Sequence, residues 1–158
     1  MAATTASTVF ASAALAHIGS GTSLAANVIN PSSDISVALA SSNLLRYPEA
    51  DVTLFFNHTA SMSPASTSIA LYRRDINVDG TGDENTPNTV AATLYKAKFM
   101  GVFQAQPYSA TSASYAQYAQ LTNVPLADQC EFYIENLTNT SILAGWTLKV
   151  LPKSTALA

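Results

Sequence analysis

The sequence predicts an all-β protein, an antiparallel β-sandwich preceded by an extended N-terminal arm. From residue 34 onward, short runs of alternating or continuous β-branched and aromatic residues are separated by clusters of Pro, Gly, Asn and Asp. Before residue 34 the chain has no Asp, Glu, Lys or Arg and is rich in Ala, Ser and Thr. We therefore expect an arm over residues 1–33, a sandwich over residues 34–152 and a tail over residues 153–158.

The first 33 residues favour an extended arm over a helix. Residues 9–18 are apolar enough to resemble a signal-peptide core, but no Lys or Arg precedes them and ten residues cannot span a bilayer. Gly19 and Gly21 would stop a helix within two turns. An uncharged arm can lie along a neighbouring subunit and add backbone hydrogen bonds to a strand edge. We expect a protein made in the cytoplasm, not exported and not bound to a membrane.

Seven strands are predicted in the remaining chain, a number that favours a sandwich over a small barrel. They cover residues 34–40, 51–57, 66–74, 93–104, 115–123, 129–136 and 145–151. In the sixth strand, Cys130, Phe132 and Ile134 alternate with polar side chains and Tyr133, which predicts one buried face. The turn-forming segment 137–145 leads us to expect that the last two strands form an antiparallel hairpin.

Composition excludes several function classes. Of 158 residues only 11% are charged, the net charge is −3, and 27 Ala, 18 Ser and 17 Thr supply much of the chain. The few basic residues are not clustered as nucleic-acid binding by phosphate neutralisation requires. The single cysteine, Cys130, rules out an intramolecular disulfide and alternates with apolar residues, so we expect it in the core. A surface with so few charges favours packing against other protein.

One loop has the spacing of a cation site. Oxygen side chains stand at loop positions 1, 3, 5 and 9, with Gly80 at position 6, where a cation-binding loop turns sharply. Position 12 is Thr86 instead of the Glu of an EF-hand, and the flanks predict strand and coil. A helix-free Ca²⁺ site is one interpretation, and a solvated turn-rich loop is the other. The ligands would be Asp75, Asn77, Asp79, the carbonyl of Thr81, and Asp83.

Catalysis has little support in the sequence, and we expect that the protein is not an enzyme. His17 and His58 lie far apart, with no nucleophile motif beside either, and are expected at turns or on the surface. Glu131 and Glu135 would be roughly 13 Å apart along one strand, too far for a retaining glycosidase pair. A hydrolase assembled from carboxylates of different strands is the most distant hypothesis.

Three segments resemble small virion proteins of tailed bacteriophages, namely residues 68–84, 130–138 and 144–152. In them the chain looks like a capsid decoration, or cement, protein. The resemblance implies a jelly-roll or related β-sandwich that sits on the outer capsid surface as a homotrimer or homodimer and contacts the major capsid protein. The neutral arm and exposed sheet edges would then be the contact surfaces. Many copies, each binding weakly to neighbouring capsid subunits, would together make the capsid more stable.

The sequence therefore predicts a structural virion protein that stabilises a phage capsid by bridging major capsid protein subunits. The alternative is a phage fibre or receptor-binding module that recognises carbohydrate. Its site would combine Tyr108, Tyr115 and Tyr118 with the loop at residues 75–83, because tyrosine rings stack on sugars and contribute contact area at low entropic cost.

Overall fold

Two antiparallel β-sheets form the fold in a computed structural model that describes residues 6–10, 15–18, 21–30, 47–58, 61–76, 98–107, 115–127 and 130–157. The strands are β1 (Ala6–Phe10), β2 (Leu15–Ile18), β3 (Val28–Ile29), β4 (Glu49–His58), β5 (Ser68–Asp75), β6 (Phe99–Gln104), β7 (Tyr115–Pro125), β8 (Cys130–Asn136) and β9 (Thr147–Leu157). Sheet A contains β1, β2, β9, β4 and β7, and sheet B contains β3, β8, β5 and β6. The predicted antiparallel sandwich is confirmed. Six predicted strands correspond to β4 through β9. The remaining one, the first in chain order at residues 34–40, lies outside the described residues.

The order of the strands is that of a jelly roll. Both β1 and β2 pair antiparallel with β9, at successive positions along it, so they act as one interrupted first strand. Counted in this way, the described residues form eight strands. The first pairs with the last, the second with the seventh, the third with the sixth and the fourth with the fifth. This pattern is one long antiparallel ribbon wound into two facing sheets.

The predicted arm is extended, but its described parts lie on this chain's own sheet. Ala6 pairs with Leu157 and Phe10 with Lys153, while Leu15 pairs with Val150. The same pairing extends β9 through residues 153–157, which the sequence had assigned to a tail. The physical reason is that β9 would otherwise be an edge strand, and uncharged small residues can cover that edge without desolvating a charge.

Residues 21–30 are also part of the folded domain. Gly21 donates a backbone hydrogen bond to the Trp146 carbonyl, and the Trp146 indole donates from Nε1 to the carbonyl of Thr22 at 2.8 Å. A Cβ atom on Gly21 would lie 1.9 Å from the Trp146 ring, so only glycine fits there. Leu24, 1% exposed, exchanges backbone hydrogen bonds with Ile142.

The core lies between the two sheets. Its buried side chains alternate along the strands, as period-two patterning requires. Cys130 is buried, as predicted, and burial raises the pKa of its thiol. The main cluster contains Leu24, Ala50, Val52, Leu54, Phe56, Met62, Ile69, Leu71, Phe103, Ala105, Val124, Cys130, Phe132, Ile134, Ile142, Trp146, Leu148 and Val150.

The expected hairpin between the last two strands is wrong, because β8 belongs to sheet B and β9 to sheet A. The connection crosses between the sheets and is held by the buried side chain of Asn136. Its amide Nδ2 donates to the carbonyls of Leu24, Ala25 and Thr140, and its Oδ1 accepts from the backbone and hydroxyl of Thr138. Buried backbone groups at this crossing therefore find partners without a strand pair.

Candidate docking face on sheet A

The first residue of the predicted cation loop, Asp75, ends β5 in an ion-paired environment. Its Oδ1 lies 2.7 Å from Arg73 Nε, and its Oδ2 lies 2.9 Å from Lys98 Nζ. Burial works to raise the pKa of Asp75, but hydrogen bonds from Lys98 and Arg73 lower it below its ordinary value of 3.8. The carboxylate is thus already neutralised by two cations.

The other predicted ligands, Asn77, Asp79, Thr81 and Asp83, lie outside the described residues. Within the ranges that are described, no group of three or more His, Cys, Asp or Glu side chains is placed to hold a metal ion. The calcium site therefore stays a prediction.

His58 is buried at the end of β4, in contrast to the surface or turn position expected from the sequence. Its Nε2 lies 2.9 Å from the Gln117 Nε2, and the Gln117 side chain also bonds the backbone N–H and carbonyl of Gln106. The inward alternation of β4 accounts for the burial, because His58 follows Leu54 and Phe56 at even spacing. The Gln117 side chain of β7 is therefore joined both to His58 of β4 and to the segment after β6. For His17 the structure describes only the backbone, within β2.

The outer face of sheet B holds polar groups that bond one another. Tyr72 Oη donates to Glu135 Oε2 at 2.7 Å, and Tyr133 Oη donates to Glu131 Oε2 at 3.3 Å. Glu131 also pairs with Arg74 at 2.9 Å. Both tyrosine rings are at most 3% exposed. The two glutamates thus serve as acceptors for this chain's own donors.

Burial raises the pKa of both tyrosines in this network, and the neighbouring glutamates add to the effect. For Tyr133, burial and then the charge of Glu131 raise the pKa to about 12. For Tyr72, burial and then the hydrogen bond to Glu135 raise the pKa further above its ordinary value. Both hydroxyls therefore stay protonated and act as hydrogen-bond donors near neutral pH.

The outer face of sheet A is open by comparison. Phe55 on β4 and Tyr118 on β7 are directly opposite each other, 40% and 72% exposed, with ring centroids 6.0 Å apart. Lys149 on β9 holds its Nζ 5.0 Å from the centre of the Phe55 ring. Among the described residues no carboxylate pairs with Lys149, so its charge is available to a partner.

The same face continues across β9 to β1. Phe10 is 47% exposed, and Lys153 Nζ lies 6.0 Å from its ring centre. Lys153 is itself ion-paired with Asp51. We call Phe10, Phe55, Tyr118, Lys149 and Lys153 the aromatic row. They form two groups on this face, Phe10 with Lys153 and Phe55 with Tyr118 and Lys149, because Phe10 is opposite Lys153 and Phe55 is opposite Thr147 along β9. Aromatic rings with cationic neighbours are typical of protein-binding surfaces.

Of the residues predicted for a carbohydrate site, Tyr118 and Asp75 do not come together. Tyr118 faces outward from the middle of β7, whereas Asp75 is at the end of β5, where Arg73 bonds the carbonyl of Pro125. Seven residues of strand separate Tyr118 from Pro125, roughly 23 Å at the usual rise. Tyr108 lies outside the described residues, and for Tyr115 only the backbone is described.

The sequence contains a signal for part of the aromatic row. Phe55 and Phe56 are adjacent in a strand, so one of them must face away from the core. Val52, Leu54 and Phe56 are spaced by two and therefore share the apolar, inward face of the strand, so the outward residue is Phe55. Phe10 carried no such signal, since its place depends on pairing with Lys153 at the far end of the chain.

Comparisons with protein-family models, with curated proteins and with solved structures found no match for this chain. None of the described residues belongs to a helix long and apolar enough to cross a membrane. The aromatic row therefore has to be interpreted from its own chemistry.

Proposed function

We propose that this chain is a structural virion protein that binds the outer surface of a phage capsid and stabilises it by bridging major capsid protein subunits. The observation that carries the proposal is the aromatic row. Three of the five large apolar or aromatic side chains that the described residues leave exposed lie on this one face. A folded chain gains nothing by leaving them in water, and large apolar side chains gathered on one exposed face are typical of a protein-binding site.

The chemistry of the row suits a protein surface as partner. Phe10, Phe55 and Tyr118 provide rigid rings that lose little entropy when they are buried. Lys149 provides one cation without a carboxylate partner among the described side chains, so the partner should offer an acidic group beside an apolar pocket. The likeness of residues 68–84, 130–138 and 144–152 to decoration proteins supports the same assignment.

The experiment uses phage particles assembled without the protein. Purified wild-type chain and the double variant F55A/Y118A are each added back, and bound protein is measured by co-sedimentation. Heat survival of the particles is then recorded. We expect the wild type to bind and raise survival, and the double variant to lose at least tenfold in affinity, because aromatic anchors carry most of an interface's binding energy.

A matched control is L137A, which removes a side chain that is 38% exposed and is not part of the row. It should bind particles as the wild type does. Particle binding by F55A/Y118A at wild-type affinity, or equal survival with and without the protein, would contradict the proposal. Deleting residues 2–33 is a poorer test, because β1, β2 and the contacts of Gly21 with Trp146 would be lost as well.

Carbohydrate recognition is the second candidate, favoured by the adjacent exposed rings of Phe55 and Tyr118. Uncharged polar residues adjoin them in the strands, with Thr53 opposite Gln120. Such a site would bind a glycan through ring stacking and amide or hydroxyl hydrogen bonds. Binding of wild-type protein to a glycan array, lost in F55A/Y118A, together with no binding to bare particles, would favour this function over capsid docking.

A further inference from the structure

Strand β7 is the longest regular edge of the sandwich in the described part of the chain. It runs from Tyr115 to Pro125 and pairs with β4 on one side, and no described strand pairs with its other side. The other sheet edges are shorter or interrupted: β3 has two residues, β6 has an irregular register near Gly101, and the first strand is divided into β1 and β2. An unpaired edge offers backbone N–H and C=O groups to another strand.

This edge lacks the usual features that prevent strand pairing. Between residues 115 and 124 there is no charged side chain and no proline. The pairing with β4 is regular from Tyr115 to Leu121, and only beyond Leu121 does the register shift. There Asn123 adopts a left-handed conformation with φ of 57°, which ends the flat part of the strand. Seven regular residues of this edge therefore have no neighbouring strand among the described residues.

We propose that two copies of this chain pair antiparallel through β7, about a two-fold axis at Tyr118. Residue 118 is the midpoint of the regular stretch 115–121, so this register uses its full length. In a two-fold contact each strand meets itself in reverse, placing residue 116 opposite residue 120 of the second copy. A strand without charged side chains can pair with its own copy without like-charge repulsion.

The outward side chains of β7 fit this register. Tyr118 would meet its own copy, and Ala116 would lie opposite Gln120, a small residue against a larger one. The most exposed of the large side chains, Tyr118 at 72%, would then be partly covered. Phe55, already 6.0 Å from Tyr118, would extend the contact on both sides. The inference rests on β7 alone and does not depend on the proposed capsid binding.

The first test measures mass in solution by light scattering over a range of concentrations. We expect the wild type to reach twice the monomer mass. The double variant A116K/Q120K puts lysines opposite lysines in this register and should remain monomeric. The matched variant A116E/Q120K puts glutamate opposite lysine at the same exposed positions, and should be dimeric like the wild type.

The second test fixes the register by disulfide formation. In Y118C the two new thiols face each other across the axis, with Cα atoms about 4.5–5.5 Å apart, within the range of a disulfide. Oxidation should crosslink most of the protein. In the control A116C the same residues of the two copies are roughly 13 Å apart along the strand, so crosslinking should stay at background. The native Cys130 is buried and should not contribute.

A monomeric wild type at all concentrations would overturn the inference, as would a trimer, because two-fold strand pairing closes at two copies. Equal dimerisation of A116K/Q120K and A116E/Q120K, or equal crosslinking of Y118C and A116C, would also overturn it. Particle binding is a separate measurement, so a monomer that still binds capsids would contradict only this inference. A dimer that binds no capsid would contradict only the proposed function.

Discussion

Tyr133 on sheet B and Tyr118 on sheet A both point away from the core of the sandwich, yet the first is fully buried and the second is 72% exposed. On sheet B the tyrosine hydroxyls donate to glutamates of the same chain, and Arg74 neutralises one of these. On sheet A the aromatic row has Lys149 with no carboxylate partner in the described ranges. The polar groups of one outer face are therefore satisfied within the chain, and the other face has a charged group left for a partner.

The difference teaches that alternation along a strand does not by itself separate structure from function. Both tyrosines occupy outward positions in their strands. What distinguishes them is whether neighbouring strands supply groups that satisfy the hydroxyl and cover the ring. Substitutions on the two faces should therefore have opposite consequences, with stability lost on sheet B and binding lost on sheet A.

The largest effect expected is that of Tyr133→Ala. Removing a fully buried aromatic side chain should lower the free energy of unfolding by about 3–5 kcal/mol. The matched substitution Tyr118→Ala should change it by less than about 0.5 kcal/mol, since it removes an exposed ring. Urea unfolding followed by tryptophan fluorescence measures both. Similar losses in the two variants would break the comparison between the faces.

The second effect is a loss of stability in alkali. The pKa of Tyr133 is raised from 10.0 to about 12 in the folded chain, so the unfolded chain gives up this proton at lower pH. The stabilisation is fully present below pH 10 and is lost as the pH rises toward 12. Tyr72 acts in the same direction. Urea unfolding at pH 9, 10 and 11 should show the decline, and a smaller decline in Tyr133→Phe.

A pH-independent free energy of unfolding over that interval would show that the sheet B hydroxyls are not held as the structure describes. The same would follow if Tyr133→Phe declined as steeply as the wild type. The absorbance of ionised tyrosine gives an independent check, because Tyr133 should titrate later than exposed tyrosines.

The third effect compares charged groups on the two faces. Glu131→Gln removes the charge that Arg74 and the Tyr133 hydroxyl share, and should cost about 1–3 kcal/mol. Lys149→Gln removes an exposed charge that contacts only the Phe55 ring among described groups, and should cost less than about 1 kcal/mol. Thermal unfolding of both variants measures the difference. A larger loss for Lys149→Gln would reverse the assignment of the faces.

The smallest effect on stability is expected from F55A/Y118A, which should unfold within about 0.5 kcal/mol of the wild type for each substitution. This result sharpens the comparison, because lost particle binding in a variant of normal stability cannot be attributed to unfolding. A large loss of stability in F55A/Y118A would mean that the two rings hold sheet A together, and the row would lose its interpretation as a docking face.

The sequence by itself determined the all-β class, six of the strands and the inward face of β8, because period-two alternation is a local property of the chain. It also indicated that Cys130 is in the core. Even the outward position of Phe55 was available from its neighbours. These features depend on residues a few positions apart, which is the range that a pattern can report.

Only the tertiary structure decided where residues 6–10 and 15–18 lie. It also decided that the 137–146 connection runs from sheet B to sheet A, and that Tyr133 is buried while Tyr118 is exposed. Each of these depends on pairs far apart in sequence, such as Ala6 with Leu157, Asn136 with Leu24 and Tyr72 with Glu135. A strand edge or an outward ring is satisfied by whichever segment reaches it. The jelly-roll topology determines which segment that is, and the local sequence pattern does not specify this topology.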